Sequence, residues 1–438
     1  MTKTQKTTIS RFNDSDTICV ITSYPDSDHG VKELNAVAWH AKKTLGHLSE
    51  QKKVIVVAEK FSHTDKIYKD NKNIVVMRLW KRGSPLSLFS ILRILKMAPK
   101  VEHFLFQFEF NIFGGMLPVL ALPLIVLILK LNGKKVHFEL HQIILDIRKL
   151  AKHINVTHPI SQFIFNAALR GFYATISTLS DSIIVLEEEL KKRLGQLTNP
   201  NKIHIVPISI DIKKCTNKSQ AKKSLGFSKN DFVVVVFGFV NWYKGSDWVA
   251  EASKHIIDKN IKIVLAGGNN PTLKDKNYYS DYYEKIEADA LGSNNLTLTG
   301  FVADNDIAKY YSAADLVVMP YRVFMSASGP FSLAISYEKP IILSESLMDY
   351  SKSEDFGNSL SYSKLSKKEL FFPLKKKLFI NKLIDLKSNP QKLQKLICFS
   401  KNLAELRSSK NIISRLIFAI YKENLSPLPT IRENKALI

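Results

Sequence analysis

The sequence predicts an α/β protein built from two doubly wound, Rossmann-like parallel-sheet domains, and three observations carry that expectation. Short β-branched runs alternate with longer segments of helical periodicity. The alternation breaks at a polar, Lys-rich stretch around residues 208–230 and restarts at Asp231. The 438 residues supply two domains of ordinary size.

In the first half, "TICVITSY" (17–24) reads as a strand, followed by a loop ending at Gly30 and the helical pattern "VKELNAVAWHAKKTLGHL". "KKVIVVAE" and "NIVVMRLW" read as strands, and "LSLFSILRILKMA" as a helix. "EHFLFQFEF" and "KKVHFELH" are strand-like and flank Ile112 to Leu129, an uncharged run of near membrane-spanning length. The flanking strands, with Gly114, Gly115, Pro118 and Pro123 inside the run, favour a buried βαβ crossover helix over a span. "SDSIIVLEEELKKRLG" and "KIHIVPISID" then supply a strand, a helix and a strand.

The second half opens on the buried strand "DFVVVVFGFV" and the helix "GSDWVAEASKHIID". "IKIVLAGG" and "LTLTGFV" read as strands, "DNDIAKYYSAA" as a helix, and "DLVVMPY" and "PIILSES" as strands around a small-residue turn and helix. The tail beyond Leu365 is helical and Lys-rich, and it ends on the amphipathic "NIISRLIFAIYKENL".

The formal net charge of +23 implies attraction to polyanions, either nucleic acid or an anionic membrane face, although the whole chain is rich in Lys, Ile and Asn. Nucleic-acid binding lacks any recognisable motif or basic aromatic stripe. Cys19, Cys215 and Cys398 stand far apart, which suits a reducing compartment and forms no CxxC metal pattern. The polar N-terminus lacks the apolar core of a secretory signal. The expected location is therefore cytoplasmic, with peripheral contact at the inner face of the membrane. The basic helix Ser84 to Lys100, with Arg93, Lys96 and Lys100, can either lie on an anionic membrane or pack on the sheet.

In open α/β sheets ligands sit outside the carboxyl ends of the strands. Lys244, after the strand ending near Gly238, is either an anion ligand at a helix start or a surface lysine. Gly267 and Gly268 permit close backbone approach or form a simple turn. Gly300, Phe301 and Val302 can present backbone to the edge of a base, and Asp304 to Asp306 read as acids capping the next helix. In "SASGPFS", Ser326, Ser328 and the backbone N–H groups near Gly329 and Phe331, on either side of Pro330, form either a helix cap or a phosphate cradle, with Gly329 giving a tight turn. His141 either meets a sugar hydroxyl or is structural. Glu139 and Glu109 are catalytic or paired core acids. No metal constellation appears, and none of the DxD triplets lies directly between two strands.

The order of these segments, above all over residues 231–345, resembles the retaining nucleotide-sugar glycosyltransferases of family 4. The resemblance implies the GT-B architecture, two Rossmann-like domains facing a cleft. It places an acceptor-side domain at 15–207, a linker at 208–230, a nucleotide-sugar domain at 231–408, and a C-terminal helix at 409–426 packed back on the N-terminal domain. It implies a catalytic Lys244 on the donor diphosphate and His141 beside the donor sugar. Gly30, Gly238, Asn241 and Gly267 would line the donor, Gly300 to Val302 the base, and Ser326 to Phe331 the phosphates and sugar. The implied reaction is metal-independent hexosyl transfer with retention, from a nucleoside diphosphate sugar to a glycan or lipid-linked acceptor in polysaccharide, glycan or glycolipid synthesis. No cofactor is expected beyond that donor. Three departures stand out: no Arg in Phe239-Val240-Asn241, a single glycine in His29-Gly30-Val31, and Met325 and Leu333 where the family's glutamate pair would stand. A nucleotide-sugar epimerase and an inactive sugar-nucleotide-binding module are the alternatives.

Overall fold

The β-branched runs assemble into two sheets in the computed structural model, which describes residues 3–25, 36–61, 66–148, 158–271 and 273–423. Chain contacts divide it into two units.

The first unit takes in 1–209, 325–327 and 409–438. Its strands are β1 (Ile18–Ile21), β2 (Val54–Glu59), β3 (Lys66–Asn71), β4 (Ile74–Trp80), β5 (His103–Phe108), β6 (Lys135–Leu140), β7 (Ser182–Val185) and β8 (Ile203–Ile205). They lie in the order β3-β4-β2-β1-β5-β6-β7-β8. Every residue of β1, β2, β4 and β5 is buried, as a parallel sheet covered on both faces requires. The sheet is not wholly parallel: β3 pairs antiparallel with β4. Its sequence, KIYKDN, is polar and half-exposed, so it carries no apolar strand signal.

The apolar run Ile112 to Leu129 departs from the expected single buried helix. It forms three short helices, Phe110–Phe113, Met116–Val119 and Leu122–Leu131. Gly114 (φ +90°) and Gly115 (φ +113°) break it, and a Cβ on Gly114 would stand 2.4 Å from Gly83 N. Leu122, Ile125, Val126 and Leu129 are buried, but the opposite face is exposed. Among the described residues no helix is long and apolar enough to cross a membrane. The Ser84 to Lys100 segment is likewise broken, into Pro85–Leu88, a 3-10 turn Phe89–Arg93, and Ile94–Met97. Leu88, Ile91 and Ile94 are buried against the unit, while Leu86 is exposed.

The helix Ser409–Tyr421 belongs to this unit. Ile412, Ile413, Leu416, Ile417 and Ile420 form one helical stripe within the core made by Val20, Leu45, Val54 and Val56.

The second unit spans 210–324 and 328–408. Its strands are β9 (Phe232–Phe237), β10 (Ile261–Ala266), β11 (Leu296–Leu298), β12 (Leu316–Met319), β13 (Ile341–Ser344) and β14 (Phe371–Phe372), in the order β11-β10-β9-β12-β13-β14. All pairings are parallel. The segment read as a linker, 208–230, contains a helix, Lys218–Ser224, capped by Asn217. Lys222 is buried there and pairs with Asp315 at 2.7 Å, so part of the Lys-rich character is internal pairing. The strand read at "LTLTGFV" ends at Leu298. Asp304 and Asp306 occupy the first turn of the helix Asp304–Ala313, whose N-cap is Ala303.

Leu416→Ala is expected to cost about 2–5 kcal/mol, since it empties a fully enclosed site. Urea unfolding would register it, and an unchanged midpoint would mean that the helix is peripheral to the core.

Candidate functional site

In the second unit the carboxyl ends of β9, β10 and β11 converge through glycines. Gly238, just after β9, has φ +106°, and a Cβ there would lie 2.8 Å from Lys244 Nζ and 3.1 Å from Pro330 Cγ. Gly267, just after β10, abuts Gly238: a Cβ would stand 2.2 Å from Gly238 O. A Cβ on Gly268 would stand 2.6 Å from Phe301 N. Gly300 turns with φ +72°. These contacts are the physical reason for glycine at the strand ends.

Lys244 closes the 3-10 turn Trp242–Lys244 and is 8% exposed. Among the described residues no carboxylate pairs with it; its ammonium faces the glycine wall and the Tyr243 ring at 5.9 Å. Burial lowers its pKa to about 8. The turn is fixed from beneath. Arg322 donates to both carboxylate oxygens of Asp247 (2.6 and 2.7 Å) and to the Trp242 carbonyl (2.7 Å). Gly245, at φ +75°, lets the chain pass Pro320, whose carbonyl oxygen would stand 2.1 Å from a Cβ. Arg322 and Asp247 had no signal in the sequence, because their pairing spans 75 residues. Asn241 is buried before this turn, and its Oδ1 accepts from Asn270 Nδ2 at 3.1 Å.

Phe301 is exposed and lies 6.4 Å from Phe239 in a stacked arrangement, while Val302 is buried beside it. Together they offer an aromatic surface and a backbone edge suited to a planar base.

At Ser328 the structure shows the helix cap, one of the two readings of this turn. Ser328 caps the helix Gly329–Ser336: its Oγ accepts from Phe331 N at 3.3 Å and shares a hydrogen bond with Tyr321 OH at 3.0 Å. The Phe331 N–H is therefore already engaged, and Pro330 has none. Gly329 is the first helical residue without positive φ, so no tight turn depends on it; a Cβ there would meet nothing within 4 Å. Ser326 falls in the first unit, bridged to Gln142. Gly30 lies outside the described residues.

In the first unit, His141 follows β6, its N–H donating to Phe108 O at 3.1 Å. Glu139, on β6, is a paired core acid. His40 Nε2 donates to its Oε1 at 2.9 Å and Gln107 Nε2 to its Oε2 at 2.9 Å. Burial would raise its pKa, but the His40 hydrogen bond and the neighbouring imidazoles outweigh this and hold it at about 2. His141 Nε2 lies 3.4 Å from the same carboxylate, makes no hydrogen bond, and burial lowers its pKa to about 4. A neutral imidazole with an unsatisfied nitrogen is suited to a hydroxyl ligand. His40, on the helix Ala36–Leu48, was not legible beforehand, because a His on an amphipathic helix carries no signal of its partner. Its ligand atom and those of Glu139 and His141 lie within 4.8 Å, close enough to chelate a cation, but the hydrogen bonds already satisfy the carboxylate. Glu109 precedes the helix Phe110–Phe113, and burial raises its pKa.

The chain is similar to several known proteins. Residues 231–353 match the family model described as glycosyl transferases group 1. The UDP-Gal:alpha-D-GlcNAc-diphosphoundecaprenol alpha-1,3-galactosyltransferase of Escherichia coli is 30% identical over 129 residues, 28% of this chain and 31% of that protein. The chain spans less than half the length of the curated relatives it matches. Among solved structures, sucrose-phosphate synthase from Thermosynechococcus elongatus superposes with TM-score 0.65 at 15% identity, covering 92% of this chain and 97% of that one. Anabaena HepE in complex with UDP-glucose superposes with TM-score 0.62 at 14% identity, covering 92% and 100%.

Two predictions follow from this geometry. Gly267→Ala is expected to cost about 1–3 kcal/mol, because the strand ends must part; guanidinium unfolding measures it, and a neutral effect would deny the close approach. An uncompensated buried ammonium also taxes the fold below pH 8, where it is charged, and the penalty fades as pH rises from about 8 toward the ordinary 10.5. Lys244→Met is therefore expected to be more stable than the native chain at pH 7, by up to about 3 kcal/mol, with the gap closing by pH 10. Equal thermal stability at pH 7 would mean that the charge is compensated.

The matched stretch thus contains Lys244 and the glycine-lined strand ends, in a chain whose two α/β parallel-sheet units share the fold of GT-B glycosyltransferases.

Proposed function

We propose that the protein is a retaining, metal-independent glycosyltransferase of the family 4 type. It would move a sugar from a nucleoside diphosphate sugar to an acceptor hydroxyl in the synthesis of a polysaccharide, glycan or glycolipid. One observation carries the reading: a buried lysine with no carboxylate partner among the described residues faces a wall of glycines at the strand ends, inside the stretch that matches glycosyl transferases group 1.

A buried cation without a counter-charge is costly unless a ligand supplies one. A diphosphate fits, because the glycines admit its oxygens and Lys244 supplies the charge. As the glycosidic bond breaks, negative charge builds on the departing diphosphate, and Lys244 stabilises it more in the transition state than in the ground state. The Gly329 N–H and the start of its helix add a smaller attraction. Phe301 and the Gly300 to Val302 backbone hold the base. His141, kept neutral, positions the sugar by hydrogen bonding. The leaving group needs no metal in this scheme, in keeping with the position of the DxD triplets. The Escherichia coli relative is named for transfer from UDP-Gal, and Anabaena HepE is seen in complex with UDP-glucose, which together favour a uridine nucleotide.

Lys244→Met is the test. It is expected to retain its fold, to lose most of the thermal stabilisation given by UDP, and to lower turnover of the accepted UDP-sugar by about 10²–10³-fold. Unchanged turnover would sink the assignment. UDP-sugar binding by the native chain without transfer to any acceptor would make it a binding module instead.

A further inference from the structure

We infer that His40, Glu139 and His141 of the first unit form a binding site for a single zinc-type divalent cation, which acts as an inhibitor and not as a reagent. The binding is independent of the donor chemistry, whereas the inhibition rests on the role proposed above for His141.

The sequence puts two of the three side by side. Glu139 on β6 and His141 just after it are two residues apart, so extended chain turns both to one face. The helix Ala36–Leu48 brings His40 against them, with its ring 4.9 Å from that of His141 and edge-on to it. Glu139 Oε1 is common to both contacts, 2.9 Å from His40 Nε2 and 3.4 Å from His141 Nε2. Two ligand atoms on a tetrahedral zinc stand about 3.3 Å apart. The His141 pair already has that separation, and the His40 pair reaches it by opening about 0.4 Å.

Two buried polar atoms of this cluster make no hydrogen bond, His141 Nε2 and Gln107 Oε1. Such atoms are rare in native interiors and call for a ligand. A proton on His141 Nε2 makes no hydrogen bond to Oε1, and a bare nitrogen faces that oxygen lone pair to lone pair. A cation between them removes the conflict. Among the described residues no Lys or Arg pairs with Glu139, so its buried charge is open to a metal's. The His40 hydrogen bond is no bar, because the metal takes the place of the Nε2 proton, which moves to Nδ1 of the same neutral ring. Gln107 Nε2 holds Oε2 at 2.9 Å, so the carboxylate is oriented from behind and offers Oε1. Two imidazoles and one carboxylate oxygen suit Zn²⁺, whereas Mg²⁺ and Ca²⁺ take oxygen ligands. A bound ion occupies the His141 nitrogen that the sugar hydroxyl would meet.

The experiment strips the full chain, free of any tag, with a chelator, removes the chelator, and measures Zn²⁺ uptake by calorimetry and by metal analysis after dialysis. The native chain is expected to hold one zinc and to ignore Mg²⁺ at the same concentration. X-ray absorption should show imidazole nitrogen and carboxylate oxygen at about 2.0–2.2 Å from the ion. His40→Gln, which still donates to Glu139, should melt as the native chain does without metal and take up zinc at least about tenfold more weakly. His255→Gln, at an exposed histidine of the second unit, should bind as the native chain does. Zinc should also lower turnover of the accepted UDP-sugar by the native chain more than by His40→Gln, with the UDP-induced thermal shift kept. No uptake, uptake indifferent to His40→Gln, or a shell of oxygen alone would overturn the inference and leave the reading of Lys244 standing. One zinc bound at these ligands with turnover unchanged would support the site and take the sugar role from His141.

Discussion

The strand ends of the second unit are organised around one buried charge, distinct from its ion-paired ones. The Lys244 ammonium sits at the carboxyl end of β9 with no carboxylate opposite it among the described residues. Holding a cation there is expensive, and the surrounding sequence is what makes the position possible. Gly238 leaves room for Nζ, Gly267 lets β10 come up against Gly238, and Gly245 lets the turn pass under Pro320. The Arg322–Asp247 pair fixes the turn from the other side while both its charges are satisfied. The contrast separates an ion-paired charge from a buried one without a carboxylate partner among the described residues.

The same logic orders the polar centre of the first unit. Glu139 is buried but accepts from His40 and Gln107, so its charge is accounted for. His141 beside it stays neutral and keeps an unsatisfied nitrogen. The carboxylate is thus the fixed partner and the imidazole the adaptable one.

Much of this was legible in the sequence, because parallel sheets are buried on both faces and announce themselves as β-branched runs. Twelve of the strands were read from such apolar runs, β5 from aromatic residues rather than β-branched ones, whereas β3, with KIYKDN, and the two-residue β14 carry no such mark. The placement of Lys244, Gly238 and Gly267 after strand ends was also readable. Two kinds of information were not. Pairings across long stretches of chain, Arg322 with Asp247 and His40 with Glu139, have no local signature. Local competition was hidden too: the Ser328 hydroxyl accepts from the Phe331 N–H that was read as open to a phosphate, and Gly329 is simply helical. The apolar run at 112–129 gave its composition but not its breaks at Gly114 and Gly115, which turn an apparent buried helix into short helices with one exposed face.

The most direct measurement of the central claim is a crystal structure of the protein with a bound nucleoside diphosphate. The account predicts diphosphate oxygens within ~3 Å of Lys244 Nζ, lying over Gly238, with the base against Phe301. A nucleotide bound elsewhere, or one whose diphosphate leaves Lys244 without an anionic partner, would contradict it.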